Sequence, residues 1–383
     1  MGKSKSIPDP KVLAFFVTED WYFCSHRLQL AVAAKNAGYE VYVVTRVQSH
    51  GGEIEAAGLN LVPLKLSRRS KNPFVEIGVI RQLTRIYKEI QPDVVHHVAV
   101  KPVIYGSIAA WRAGVASVVN AMAGLGFLFS SDRLTARLLR PAIRLMFGLL
   151  LNNDRTTVIL QNPDDVEVLC STGTVGRDCV KLIRGSGVDT DVYRYEPEPD
   201  DVPVVLLASR LLWDKGVGEF VEAARKIREQ GIVARFALAG DGDDENPGSI
   251  SVAQLKQWSD EGIVECWGRR NNMPEVFSGV HIVCLPTAYG EGVPKVLIEA
   301  ASCGRPIVAT DAPGCREIVI DGQNGRLVPI KDVGALEDAI SELLESKDLR
   351  RDMGQVGRQL VQDQFSLDEV INRTLGVYES SRQ

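Results

Sequence analysis

The chain predicts two doubly wound α/β domains of similar size, and three observations carry that prediction. Its 383 residues exceed what a single ordinary core organises, since domains hold roughly 100 to 200 residues. Short, uninterrupted apolar runs alternate with helix-length segments, the mark of parallel strands buried on both faces. The alternation stops at a proline-rich acidic segment, EPEPDDVP (196–203), and then restarts.

In the first half, KVLAFFV (11–17) reads as a strand, SHRLQLAVAAKNA (25–37) as a helix stopped by Gly38, and EVYVVT (40–45) as the next strand. The pattern continues through a strand at 60–65, a helix at 73–90 stopped by Pro92, a strand at 93–98, a helix at 101–113 and a strand at 117–120. After the linker come VVLLA (204–208), a helix near 215–230, a strand at 234–239, another at 263–267, HIVCL (281–285), a helix at 294–303 and PIVAT (306–310). Two Rossmann-like domains follow, 1–195 and 196–365, with their parallel sheets facing a central ligand cleft. A last helix occupies 366–383; Phe365, Leu367, Val370, Ile371, Leu375 and Tyr378 form an apolar set that needs a partner surface.

A content of 45% hydrophobic and 24% charged residues excludes disordered and fibrous classes. The seven cysteines include no CxxC pair and no histidine at zinc-finger spacing, so reduced thiols and a cytoplasmic setting are expected. The polar first ten residues predict no secretory signal, and no membrane span is expected. Net charge is divided unevenly, +7 over residues 1–195 and −12 over the rest. That imbalance suits an anionic partner such as membrane headgroups, and no nucleic-acid partner is expected.

The strongest local signal is Tyr289-Gly-Glu291-Gly292-Val293-Pro294-Lys295-Val-Leu-Ile-Glu299, after the strand HIVCL. Pro294 suits a first helical turn, which leaves Glu291 on the loop and Glu299 about two turns inside. Eight helical residues would span ~12 Å, so the carboxylates suit opposite ends of an elongated ligand better than a glycosidase pair. The helix start between them can receive an anion such as a diphosphate; an acidic helix start stabilised by its dipole is the plainer reading. A second signal, Ser209-Arg210-Leu-Leu-Trp-Asp-Lys215-Gly216, puts two cations after strand VVLLA, where they could neutralise a leaving diphosphate. Asp241-Gly-Asp243 and Asp189-Thr-Asp191 match a DxD metal pattern in form, but turn carboxylates are the better reading and no metal is expected. No GxGxxG follows the first strand, and GxxxxGK[ST], HExxH and GxSxG are missing. That counts against dinucleotide oxidoreductases, P-loop enzymes, zinc proteases and nucleophile-elbow hydrolases.

SRLLWDKG, AGDGD (239–243), WGRRNNMPEVF (267–277) and EGVPKVLIEAASCGRPIVATDAPGCREIVIDGQNGRLV (291–328) together resemble a family 4 glycosyltransferase of the GT-B fold. FFVTEDWYFCSHRLQLAVAAKNAGYEV (15–41), VKPVIYG (100–106), AGLGF (123–127) and GSGVD (185–189) resemble its capsular and lipid-linked-oligosaccharide subgroup. The resemblance implies a retaining, metal-independent transfer of a hexose or N-acetylhexosamine from a UDP-sugar to a polyprenyl-diphosphate-linked saccharide, with no cofactor. It implies that Arg210 and Lys215 hold the donor diphosphate, that Glu291 holds the donor sugar, and that Glu299 holds the ribose. The backbone of Gly292, Val293 and Pro294 would approach sugar and phosphate, and Arg269 after Gly268 would line the nucleobase. It also implies that the terminal helix crosses back to the first domain. TEDWYFCSHR and AMAGLGF depart from the glycine-rich loop and the histidine many members carry. His26, Arg27 and Lys101 are the first-domain candidates there, while Glu19 and Asp20 could contact acceptor or cap a helix.

Arg133, Arg137, Arg140 and Arg144 fall at helical spacing in RLTARLLRPAIRLMFGLLL (133–151), a basic amphipathic stretch in which Pro141 predicts two shorter helices or a kink. Arg68 and Arg69 lie in a second basic segment, KLSRRSK (65–71). These would place the chain peripherally on the inner face of the cytoplasmic membrane; a core helix with a solvated arginine face is the alternative for 133–151. Two rival functions are a UDP-sugar epimerase on the same fold and a non-catalytic nucleotide-sugar-binding partner.

Overall fold

The structure is a computed structural model that describes residues 10–66, 72–125, 134–243 and 245–380, without the side chains of 134–139. Arg68, Arg69 and Arg133, and the side chain of Arg137, therefore lie outside the described residues.

Two compact units are formed. One comprises Met1–Ala123, Leu139–Ile183 and Ile371–Gln383, the other Gly124–Leu138 and Arg184–Val370. The first holds a seven-stranded parallel sheet in the order β3-β2-β1-β4-β5-β6-β7. Its strands are β1 (Lys11–Glu19), β2 (Tyr39–Arg46), β3 (Asn60–Pro63), β4 (Val94–Val98), β5 (Ser117–Met122), β6 (Thr156–Leu160) and β7 (Val180–Leu182). The second holds a six-stranded parallel sheet, β10-β9-β8-β11-β12-β13, built from β8 (Val204–Ala208), β9 (Arg235–Ala239), β10 (Glu265–Gly268), β11 (Ile282–Leu285), β12 (Ile307–Thr310) and β13 (Gly325–Val328). In each sheet the strand order reverses beside the first strand, so the crevice of a doubly wound fold opens there.

The apolar runs do not alternate because both faces of these strands are covered. Val204, Leu206 and Ala208 pack in the cluster that includes Leu297 and Ile298 of helix Lys295–Ser302. Val205 and Leu207 pack oppositely, with Phe220 of helix Val217–Glu229 and Ile340 of helix Val333–Glu345. In the first unit, Phe16 and Val95 pack with Leu83 of helix Pro73–Ile90 and Ala109 of helix Val100–Ala113.

Two helix expectations need correction. The segment read as one helix at 25–37 is two, Asp20–His26 and Leu28–Asn36, because Arg27 leaves helical geometry at φ −132° and ψ −14°. The first begins early because Asp20 is fully buried and accepts the backbone N–H groups of Trp21, Gln48, Ser49 and His50. Burial pushes its carboxyl up, but these four donors together hold it below the ordinary range. Pro141 does not divide the helix Leu134–Leu151, which runs through it. A proline's φ is itself helical, and the hydrogen bond it forfeits is tolerated where Phe147 and Leu151 anchor the helix by full burial.

The acidic segment at 196–203 is fastened to the second unit. Arg350 grips Glu198 through two bonds of 2.7 and 2.8 Å, Arg305 donates to the Glu196 carbonyl at 2.6 Å, and Lys347 pairs with Asp200. His281 Nδ1 accepts from the N–H of Val204, and its Nε2 meets the Pro199 carbonyl, each at 3.0 Å. The entering and leaving chains are joined as well: Val188 donates to Phe365 and accepts from Leu367. Gly187, at φ +74°, allows this, since a Cβ there would stand 2.8 Å from Leu367 Cα. The helix Leu367–Ser380 then returns to the first unit, where fully buried Tyr378 meets His96 Nδ1 at 2.5 Å.

Three histidines are buried in neutral form, which fixes a pH response. Burial lowers His96, His97 and His281, His97 to about 4. The unfolded chain takes up these protons near the ordinary imidazole value of ~6.5, and the folded chain does not. Stability is therefore complete above that pH and falls as pH drops from it toward 4. Melting temperatures at pH 7.5, 6.0 and 5.0 are expected to decline in that order, and a flat profile would contradict neutral burial.

Candidate active site

The turn after β8 is shaped by glycine. Gly216 has φ +75°, and a Cβ on it would lie 2.0 Å from the Pro286 carbonyl oxygen, so only glycine lets the two strand ends close up. The 3-10 turn Trp213–Lys215 is tied to the loop after β11 by Ala288 N–H donating to the Asp214 carbonyl at 2.9 Å. Lys215 and Glu291 are thereby brought from either side of the crevice between β8 and β11. Lys215 is nearly buried, with Nζ 2.6 Å from Glu291 Oε2 and 5.7 Å from the centre of the Tyr289 ring. Burial raises the Tyr289 phenol, while Lys215 and Arg210 pull it down, which marks both cations as neighbours of one ring.

The loop carrying Glu291 is held from below. Glu291 N–H donates to Pro313 at 3.1 Å, and Gly314, at φ +86°, lies so close that a Cβ would fall 1.5 Å from the Gly292 carbonyl oxygen. Gly292, Val293 and Pro294 are buried, and Pro294 caps the helix Lys295–Ser302. Glu299 lies within that helix, 7% exposed, with Oε1 3.2 Å from Lys295 Nζ. Its other neighbour is Tyr193, whose phenol is pushed up by burial first and then by the charge and hydrogen bond of Glu299. Tyr193 escaped the sequence reading, as nothing in DTDVYRYE marks one tyrosine for a partner more than a hundred residues away. Arg210 half-emerges after β8 and pairs with Asp243 at 2.7 Å. The sequence reading gave Asp243 to a turn, and it is also the partner of that arginine.

Arg269 is exposed after Gly268, which takes φ +64° at the end of β10. A cavity of ≈920 Å³ takes in Gly268, Gly240–Gly242 and the helix Val252–Asp260, but none of Arg210, Lys215, Glu291 or Glu299 lines it. Lys215 and Glu291 instead meet at the β8/β11 crevice beside Tyr289, where Arg210 also follows β8, while Glu299 lies farther along the helix Lys295–Ser302.

In the first unit, Lys101 is 3.1 Å from Glu76 and lies over Tyr105, which makes it part of an ion pair. His26 stacks on Tyr22 with ring centres 4.2 Å apart. Arg27 is 6% exposed, its Nη1 donates to the His26 carbonyl at 3.0 Å, and no carboxylate among the described residues pairs with it. A buried guanidinium without an anion is costly, which singles Arg27 out from the three. Glu19 pairs with Arg46 at 3.4 Å, and Asp20 is occupied by backbone donors. In helix Leu134–Leu151, Arg140 is half-buried and Arg144 exposed, with Leu145 and Leu149 also exposed. No helix among the described residues is long and apolar enough to cross a membrane.

Two doubly wound parallel sheets, the second with cations and carboxylates paired at its switch point, define a two-unit α/β protein. The family model described as Glycosyl transferases group 1 matches residues 202–346, and that described as Glycosyl transferase 4-like matches residues 11–162. The chain belongs to this family of glycosyltransferases. It is 28% identical over 366 residues to the N,N'-diacetylbacillosaminyl-diphospho-undecaprenol alpha-1,3-N-acetylgalactosaminyltransferase of Campylobacter jejuni, covering 92% of this chain and 94% of the relative. It is 24% identical to the putative glycosyltransferase EpsD of Bacillus subtilis over 97% of each. The fold is shared with the sucrose-phosphate synthase of Thermosynechococcus elongatus, at a TM-score of 0.80 and 18% identity over 97% of this chain and 98% of that one. Anabaena HepE in complex with UDP-glucose gives 0.79 and 18% over 96% and 99%.

Proposed function

We propose that this glycosyltransferase moves a hexose or N-acetylhexosamine from a UDP-sugar to a polyprenyl-diphosphate-linked saccharide, with retention and without a metal. The observation that carries the donor half is the convergence of Arg210, Lys215 and Glu291 at the β8/β11 crevice. Arg210 and Lys215 neutralise the diphosphate as the anomeric C–O bond breaks, so charge separation is opposed by fixed cations. The acceptor hydroxyl forms the new C–O bond on the face the diphosphate leaves, and a departing phosphate oxygen takes its proton. Glu291 holds sugar hydroxyls, and Glu299, steadied by Lys295 and Tyr193, holds the ribose. Arg269 and Gly268 border the base.

The acceptor half is supported by the name of the Campylobacter jejuni relative and by the surface of the first unit. Exposed Leu145 and Leu149 beside Arg144 suit an anionic bilayer, as do exposed Phe74, Val75 and Ile77 opening a helix whose exposed side continues through Arg81, Arg85 and Lys88. Arg27 is the first-unit cation best placed to receive the acceptor's charge. The chain would act peripherally at the cytoplasmic membrane surface, in cell-surface polysaccharide or glycan assembly.

The test is transfer from UDP-N-acetylhexosamines and UDP-hexoses, in EDTA, to a polyprenyl-diphosphate saccharide carried in anionic vesicles. Product with the anomeric configuration of the donor is expected, and a chain with Arg133, Arg137, Arg140 and Arg144 all changed to glutamine should lose vesicle-bound turnover. Conversion of the UDP-sugar without acceptor would favour the epimerase instead, and UDP binding with no turnover would favour the binding partner.

A further inference from the structure

Asp243 has no part in the donor contacts above, yet the fold fixes it against Arg210. Gly240, at φ +140°, lets its loop run over the end of β8, where a Cβ would fall 1.9 Å from the Ser209 carbonyl oxygen. The Leu211 N–H donates to Asp241 at 2.9 Å, and the Ile250 N–H donates back to Leu211 at 3.0 Å. The Asp243 N–H donates to Ser249 Oγ at 2.9 Å, its Oδ1 accepts from the Glu245 N–H at 3.1 Å, and its Oδ2 lies 2.7 Å from Arg210 Nη1. The carboxylate is mostly shielded, while the arginine is 37% exposed at the crevice. The more exposed member of the pair is therefore the arginine.

We propose that Asp243 is a positioning residue that holds Arg210 in the empty site and competes with the donor diphosphate for it, so that it sets how readily the diphosphate is taken up and released. This rests on the donor-site reading. A diphosphate reaching Arg210 must displace the carboxylate or sit beside it, and either weakens binding. After transfer, UDP leaves more easily because Asp243 recaptures the guanidinium. Glu291 stands in the same relation to Lys215, but it is itself assigned to the donor sugar.

The test is Asp243→Asn, which keeps an oxygen for the Glu245 N–H and removes the charge, with Asp243→Ser as a second variant should the first fail to fold. UDP is titrated by calorimetry and its release timed by stopped flow, with uridine as the uncharged control. UDP should bind about fivefold more tightly, the scale of one partly exposed ion pair, and leave more slowly, with uridine unchanged. In an Arg210→Ala background the same change should have no effect on UDP. Unchanged or weaker UDP binding in Asp243→Asn, where Arg210→Ala alone does lose UDP, overturns the competition. If Arg210→Ala alone leaves UDP binding intact, the donor-site reading itself fails, a separate result.

Discussion

A chain carrying Arg210→Ala and Lys215→Ala is expected to lose metal-free UDP affinity by about a hundredfold or more, and transfer by at least about a thousandfold. Removing a single group aimed at developing charge costs on the order of 100- to 1,000-fold in rate, and this variant removes two. They are not independent, because both face Tyr289 and a single diphosphate would span them, so the losses will not multiply fully. The substitution also leaves Glu291 and Asp243 without their cations in a crevice that then repels anions. Asp243 keeps the Glu245 N–H on its carboxylate, whereas Glu291 loses Lys215 at 2.6 Å. Adding Glu291→Gln to the double variant should therefore restore part of any lost melting temperature but none of the transfer. Calorimetry with UDP in EDTA, beside melting curves with and without ligand, separates these effects. UDP binding within a few-fold of the wild type would remove the diphosphate from this crevice.

That crevice was legible in the sequence because each cation and carboxylate follows a buried strand directly. VVLLA and HIVCL are buried on both faces, so they read as apolar blocks, and Arg210, Lys215 and Glu291 follow within a short loop. Partners brought in by distant loops were not legible. Asp243 looks like a turn carboxylate because that is also what it is, and its second role depends on how Gly240 steers the loop over Ser209. Tyr193 reaches Glu299 only through the folding of a segment without periodicity.

The same contrast holds for the fold. The helix Pro73–Ile90 lies where the sequence predicts one at about 73–90; Asn72 caps it, Pro73 opens it and Gln91 before Pro92 closes it. The edge strands Val180–Leu182 and Gly325–Val328 were passed over because runs of three or four residues carry little periodic signal, and Thr156–Leu160, paired on both sides, was passed over as well. The segment at 196–203 has a linker's composition, yet Arg350, Arg305 and His281 fasten it to the second unit. Proline and acid content report what a segment cannot do alone, and not which distant arginines bind it.

Deleting the chain after Phe365 is expected to cost the first unit most of its stability. The removed helix buries Val370, Val377 and Tyr378 to 6% exposure or less. The two that belong to the first unit, Val377 and Tyr378, contribute roughly 3 to 6 kcal/mol, at about 1.5 to 3 each, against a total of about 5 to 15 for a typical domain. The deletion also uncovers Tyr39 and removes the hydroxyl that meets His96 Nδ1. His96 Nε2 already has no partner, so its ring would keep none, in a place where burial holds it neutral. Should the shortened chain give no folded protein, Tyr378→Phe tests the same contact alone. It keeps the ring against Tyr39 and removes only the hydroxyl, at about 1 to 3 kcal/mol for one buried unsatisfied group. That is a fall of several degrees in melting temperature. The loss should also move the pH profile, because a His96 without its hydroxyl partner protonates at a different pH from the wild-type ring. A melting temperature within a degree of the wild type at pH 7.5 and at pH 5.0 would mean that the terminal helix rests on the first unit without holding it.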